Sequence, residues 1–280
     1  MTLRERLVAL FPEASGHRRK QWLATGRVRV NGRVARDGRV AVAAADAVEL
    51  GVAAGRVAPA PLPGGVRIVH EDEDLVVVDK PPGLLTIATE RERERTAYRI
   101  VRSHVSKRRP GPVFIVHRLD RETSGLIVLA RTMRAKRHLQ AQFAARSVER
   151  VYLAVVRGMV RADRGTLVSQ LVEDESLRVR PAADRRGRAA APGAREAITD
   201  YRVRERRRGT TLLELTLGTG RRRQIRVQLS ELGHPIVGDS GAPRAAGARP
   251  GRRAGPGFAR AGRLLLHALR LGFEHPGTGE

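Results

Sequence analysis

His117-Arg118-Leu119-Asp120-Arg121-Glu122-Thr123-Ser124-Gly125-Leu126-Ile127-Val128-Leu129-Ala130 sets one carboxylate between two arginines, just ahead of an apolar run. The run is short, continuous and preceded by a polar turn, which predicts a buried strand. Cations on both sides favour the ionised form of Asp120, so a charged carboxylate is expected at the start of that strand. Taken alone, an Arg-Asp-Arg triplet reads first as an exposed turn whose charges pair with little effect on stability. Its surroundings decide between the two readings.

Upstream, Val66-Arg67-Ile68-Val69 and Leu75-Val76-Val77-Val78 flank the acidic turn His70–Asp74. They predict a hairpin running into Asp79-Lys80-Pro81-Pro82-Gly83-Leu84, where two prolines end the strand. Downstream, Thr132 can cap a helix with Ala135, Leu139 and Phe143 at i, i+4 and i+8, and Arg134, Lys136, Arg137 and His138 on its other face. Strands are expected at 148–157, 165–170, 196–204 and 210–217, then a helix from about Arg222 to Leu232 and a last strand Leu264–Phe273. Many non-repeating strands with few helices place the chain in the α+β class, with a large mixed, mainly antiparallel sheet. The Arg/Ala/Gly/Pro-rich stretches 181–195 and 241–262 lack periodicity and read as mobile loops.

Residues 1–50 form a separate small α/β domain. Leu3, Leu7 and Leu10 lie at helical spacing, a second helix runs from about His17 to Ala24, and Asn31-Gly32 between alternating residues signals a tight hairpin. Pro, Gly and Ala dominate 51–65, which reads as a linker. Residues 66–280 are then the main domain.

The 280 residues carry a net charge of +25, from 54 Lys and Arg against 29 Asp and Glu. Such an excess repels itself in a compact chain unless a polyanion neutralises it, which points to nucleic acid or, as the weaker option, an anionic membrane surface. All but Lys20, Lys80, Lys107 and Lys136 of these cations are arginine, a bias that inflates the charge without changing its sign. No apolar run approaches the ~18 residues of a spanning helix, and the N-terminus lacks a signal-peptide core, so a cytoplasmic protein is expected. The absence of cysteine excludes disulfides, thiolate chemistry and Cys-based zinc sites. No metal-binding histidine motif and no glycine-rich phosphate loop occurs, so neither metal nor cofactor is expected. Nothing resembles a repeat or a coiled-coil seam, which leaves a monomer.

The pattern H-R-L-D-R-x-T-S-G-L followed by apolar residues closely resembles the active-site motif of the RluA-type pseudouridine synthases, which isomerise uridine in RNA. Three further blocks resemble the same family in order: the Ile68-to-Leu84 hairpin with its Lys80-Pro81, Arg150-Val151-Tyr152, and Gly220-Arg221-Arg222-Arg223-Gln224-Ile225-Arg226-Val227-Gln228. The two helices and hairpin of 1–50 resemble the alpha-L RNA-binding domain often attached to these enzymes.

The resemblance implies a cofactor-free mechanism. Asp120 acts on the sugar, either as nucleophile at the anomeric carbon or as the base that opens a glycal route. Tyr152 stacks on the uracil, and Arg226 pairs with Asp120, a task suited to a group that stays charged when buried. Arg118 helps fill the space left by a flipped base, or simply pairs with Asp120. Arg121 and Lys80 are further substrate-binding candidates, and Ile225 and Val227 are expected to line the pocket wall. Arg18, Arg19, Lys20 and Arg27 are expected to contact phosphates, which position RNA without reading its sequence. The partner is RNA, with 23S ribosomal RNA favoured by the N-terminal domain; tRNA, or a non-catalytic role in ribosome assembly, are the alternatives. Arg223 and Gln228 stand where the family has histidines and are expected behind the site or facing RNA. The aromatic that usually follows the family's Gly-Asp is missing from Gly238-Asp239-Ser240-Gly241.

Overall fold

A computed structural model describes residues 1–12, 14–24, 26–50, 61–90, 92–108, 110–175, 178–182, 192–241 and 261–279. The chain divides into two compact units, Met1–Ala60 and Pro61–Glu280. Most of the two stretches read as loops, and 51–60 of the expected linker, lie outside the described residues. Leu62, also in the expected linker, packs against the core of the larger unit. No helix among the described residues is long and apolar enough to cross a membrane.

In the small unit, α1 (Leu3–Leu10) and α2 (Gly16–Ala24) precede β1 (Val28–Val30), β2 (Arg33–Val34) and β3 (Val48–Leu50), arranged β2-β1-β3. Thr2 and Glu5 close a reciprocal capping box on α1. Asn31 and Gly32 both take positive φ (50° and 77°), the backbone that a two-residue hairpin turn demands. Leu3, Leu7, Trp22, Leu23, Val28 and Val42 form the core.

The larger unit is built on one ten-stranded sheet. Its strands are β4 (Arg67–Glu71), β5 (Leu75–Lys80), β6 (Phe114–Ile115), β7 (Ser124–Ala130), β8 (Glu149–Arg157), β9 (Arg164–Glu173), β10 (Val179–Pro181), β11 (Arg195–Arg207), β12 (Thr210–Leu217) and β13 (Leu266–Gly272). They run in the order β10-β9-β11-β12-β8-β13-β7-β5-β4, with β6 also on β7. Every pairing is antiparallel except β13 with β7, so the sheet is mixed and mainly antiparallel, in an α+β fold. Among the described residues three α-helices accompany it: α3 (Ala97–Arg108), α4 (Met133–Ala145) and α5 (Gln224–Glu231).

The last strand is inserted between the two that matter most. Ala268 on β13 sits opposite Gly125 on β7 and Tyr152 on β8, which aligns the start of the Asp120 strand with Tyr152. Gly125 has φ +115°, and a Cβ there would stand 2.2 Å from the Ala268 carbonyl oxygen, so only glycine permits this pairing. Val76, Val101, Ile127 and Leu129 fill one core cluster and Val156, Leu213, Ile225 and Leu229 another. Tyr152 packs against both, at the seam between them.

Candidate active site

Asp120 is set by its neighbours' backbone bonds. The buried Thr86 hydroxyl donates to the Leu119 carbonyl (2.8 Å) and accepts from the Leu119 amide (3.2 Å). The Thr123 amide then bonds to the Asp120 carbonyl, closing the turn into β7. The Asp120 carboxylate faces a cleft of about 500 Å³, walled by Thr123, Tyr152, Leu217, Gly220, Ile225 and Arg226. An adjoining cleft of about 290 Å³ shares Asp120, Arg118 and Arg226 and has Thr86, Ile87 and Arg121 on its other side.

Arg226 comes from α5, which Gln224 and Gln228 fix to the sheet. Gln224 Nε2 donates to the Ile198 carbonyl and the Thr199 hydroxyl, and that hydroxyl donates to Gln228 Oε1. Arg226 is turned mainly toward a carboxylate to which the sequence reading gave no role. Its Nε and Nη2 donate to Asp239 Oδ2 and Oδ1 at 2.8 and 2.5 Å, and the Asp239 side chain is wholly buried. Nη1 is left 3.8 Å from Asp120 Oδ2, close enough for charge attraction but beyond a hydrogen bond. Among the described residues the Asp120 carboxylate accepts no hydrogen bond, so its lone pairs are open to the cleft. Burial alone would loosen the Arg226 proton, but the hydrogen bonds and charge of Asp239, then Asp120 and Glu122, outweigh it and raise its pKa.

Tyr152 is half-buried beside Asp120 in the cleft. Burial pushes its phenol up to about 12; Arg150 opposes this and Asp120 adds to it. The phenol therefore stays protonated near neutral pH, as a ring surface with a hydroxyl donor.

Arg118 is exposed at the rim of both clefts, and Ile225 lines the larger one. Arg121 lines the adjoining cleft, with its Nε donating to the Gly83 carbonyl. Lys80 lies outside both clefts. Its side chain is fully buried, and its ammonium donates to the carbonyls of Pro81, Leu84 and Arg121 at 2.9, 2.9 and 3.1 Å. Burial pulls that amine down to about 8, against the nearby Glu122, Asp120 and Asp79. It ties the proline turn to the segment that carries Asp120 rather than meeting a ligand.

Val227 is not on the pocket wall either. Two residues along a helix are about 200° apart, so with Ile225 toward the cleft Val227 packs behind α5 against Leu171 and Ala197. Gln228 is buried and donates to the Leu167 and Ala197 carbonyls, which places it behind the site and not facing RNA. In the small unit Arg18 and Lys20 are exposed and Arg27 is half-buried. Arg19 is occupied: its guanidinium donates to the Phe11 carbonyl at 3.0 Å and to the Ala14 carbonyl, capping the end of α1, where carbonyls lack helical partners.

Away from the clefts, the ligand-type atoms of His70, Asp72 and His275 lie within 4.8 Å of one another. His275 Nδ1 accepts the Gly277 and Thr278 amides, so the ring proton of the neutral imidazole is on Nε2, which donates to Asp72 Oδ2 at 3.0 Å. That arrangement suits a latch for the C-terminal turn and not a metal, because the nitrogen a cation would need already carries a proton.

A model of the RNA pseudouridylate synthase family matches residues 74–231. Ribosomal large subunit pseudouridine synthase D of Xanthomonas campestris is 36% identical over 286 residues, spanning 98% of this chain and 81% of that protein. Its namesake in Pseudomonas aeruginosa is 34% identical, spanning 96% and 83%. The structure of human RNA pseudouridylate synthase domain containing 4 superposes with a TM-score of 0.58 at 26% identity, covering 73% of this chain and 82% of its own. With more than half of its length matched by the family model and relatives above 30% identity along most of theirs, the chain belongs to the RNA pseudouridylate synthases, isomerases that act on RNA.

Proposed function

We propose that this enzyme isomerises uridine in large-subunit ribosomal RNA, with Asp120 as the group that acts on the sugar. The observation that carries the reading is convergence. Asp120, Tyr152 and Arg226 come from distant parts of the chain and meet in one cleft bordered by Arg118, Arg221, Arg222 and Arg223. The ribosomal choice is supported by the relatives' names.

Arg226 places a positive charge 3.8 Å from Asp120 while leaving the Asp120 oxygens free to approach the anomeric carbon or the 2′ proton. Tyr152 offers the flat surface on which a uracil can stack. Bringing uridine to Asp120 requires flipping it out of folded RNA, at roughly a few kcal/mol of lost stacking, and Arg118 at the rim is placed to fill the gap. Arg18 and Lys20 of the small unit add phosphate contacts. The isomerisation has no net redox change, so the reading needs no cofactor; it takes the enzyme to work in the cytoplasm as a monomer.

The test is pseudouridine mapping of total RNA from cells with and without the gene. Loss of signal at defined uridines of 23S RNA is expected, and a loss confined to tRNA would move the substrate. In vitro, Asp120→Asn should abolish product and leave RNA affinity within about twofold; an active Asn variant overturns the role given to Asp120.

A further inference from the structure

Arg150 lies on β8 two residues before Tyr152, so both side chains belong to one face of the sheet. It is buried, with 9% exposure. Each buried donor left unpaired costs about 1–3 kcal/mol, and native proteins rarely leave any without a reason. Arg150 has one such donor, Nε. Among the described residues its only hydrogen bond runs from Nη2 to the Leu217 carbonyl at 3.3 Å, no carboxylate pairs with it, and Nε is buried without an acceptor. Burial pulls its pKa below that of a free guanidinium, and Arg146 adds to this while Tyr152 opposes it.

The guanidinium lies over the Phe143 ring, 5.9 Å from its centroid, and directly behind the cleft wall at Gly220. A Cβ at Gly220 would stand 2.5 Å from Arg150 Nη1, so the guanidinium occupies the place a side chain there would take. Gly220 and Leu217 both line the cleft with Tyr152 and Asp120. A cation held just behind the wall, where Gly220 has no side chain to cover it, is suited to a negative charge that forms in the cleft during the reaction.

Resting on the reading that Asp120 breaks the glycosidic bond in this cleft, we propose that Arg150 contacts the substrate and holds the uracil once it is detached. When the C1′–N1 bond breaks, its electron pair leaves on N1, and the base becomes an anion whose charge spreads to both carbonyl oxygens. On the sugar side, either an Asp120 oxygen bonds to C1′, or Asp120 takes the 2′ proton as C1′=C2′ forms. The base then turns, C5 supplies the pair for the new bond to C1′, and the C5 proton ends on N1. In the first route the Asp120 oxygen leaves; in the second the 2′ proton returns. Throughout the turn the base has no covalent tether, and a guanidinium can pass from one carbonyl oxygen to the other. Because the charge exists only after cleavage, the contact favours the detached base over the intact nucleoside.

Single-turnover reactions on a ribosomal RNA fragment test this, with two products measured: pseudouridine and free uracil with its matching abasic site. Arg150→Gln should slow pseudouridine formation at least tenfold and release free uracil, with RNA affinity unchanged. Arg150→Lys should restore retention of the base in part. Gly220→Ala keeps the arginine but displaces it, and should reproduce the uracil leak. Wild-type rate without free uracil in Arg150→Gln would overturn the proposal. So would slowing that follows weaker RNA binding, which marks a phosphate contact, or equal slowing in Gln and Lys variants of lowered Tm without any leak, which marks a scaffold. Wild-type enzyme that forms no pseudouridine, or an active Asp120→Asn, would instead remove the reading beneath it.

Discussion

Two arginines, one in the wall of the cleft and one behind that wall at Gly220, are satisfied in contrasting ways. On α5, Arg226 grips the buried Asp239 with two hydrogen bonds and turns only its remaining nitrogen toward Asp120. On β8, Arg150 has one long hydrogen bond and an orphaned Nε. Breaking a buried ion pair is expensive even where its net worth is small, because the survivor stays charged in a poor solvent. The α5 wall is therefore complete before RNA arrives, whereas the β8 wall still has charge and donors to offer.

The sharpest way to break the contrast is to give Arg226 the condition of Arg150. Asp239→Ala leaves the guanidinium buried with only the more distant charges of Asp120 and Glu122, and should lower the free energy of unfolding by about 3–5 kcal/mol. Urea titration at pH 7 measures it. An unchanged midpoint would mean that Asp239 does not carry Arg226. A free Arg226 could also close its 3.8 Å gap and tie up the Asp120 oxygens, so a fall in pseudouridine formation should accompany the loss.

The β8 wall has a second charged consequence, read through pH. His117 Nε2 accepts the Val128 amide at 3.1 Å, and its ring stacks on Phe143 with centroids 4.7 Å apart. Burial, then the charge of Arg150, holds the imidazole down at about 4, against 6.5 for a free one. The unfolded chain thus takes a proton near pH 6.5 that the folded chain refuses until about 4, so stability falls as pH drops through that window. At about 1.4 kcal/mol per unit, the loss between pH 6.5 and 5 is about 2 kcal/mol. His117→Gln, whose side-chain oxygen can also accept an amide, should flatten the slope. Equal slopes in wild type and variant would show that the ring does not stay neutral.

The readable and unreadable parts of the site divide along similar lines. Asp120, its strand and Tyr152 sit in contiguous patterns, and the sheet-forming runs 148–157 and 210–217 lie close to their observed bounds. Helix α3 escaped, although Ala97, Val101 and Val105 stand at i, i+4 and i+8 and are all buried. Asp239 stood in the Gly-Asp pair of the sequence, but its role could not be read there because it lies in a partner on another element. Lys80 misleads for the reverse reason. A lysine beside two prolines suggests solvent, and only the folded chain brings the Pro81, Leu84 and Arg121 carbonyls together around it. Val227 shares a motif with Ile225, yet helical geometry sends the two apart.

The smallest expected effect is the most telling one. Arg150→Leu removes a buried cation with one hydrogen bond and replaces it with a side chain that burial favours, so unfolding free energy should stay within about 1 kcal/mol of wild type. Removing that charge should also let His117 titrate nearer its ordinary range, which makes the acid slope shallower. A loss as large as that of Asp239→Ala would mean that Arg150 is as much a part of the scaffold as Arg226, and the distinction between the walls would fall. Near-neutral stability, together with a leak of free uracil from the Gln variant, would mean that an unsatisfied group is retained there for the substrate and not for the fold.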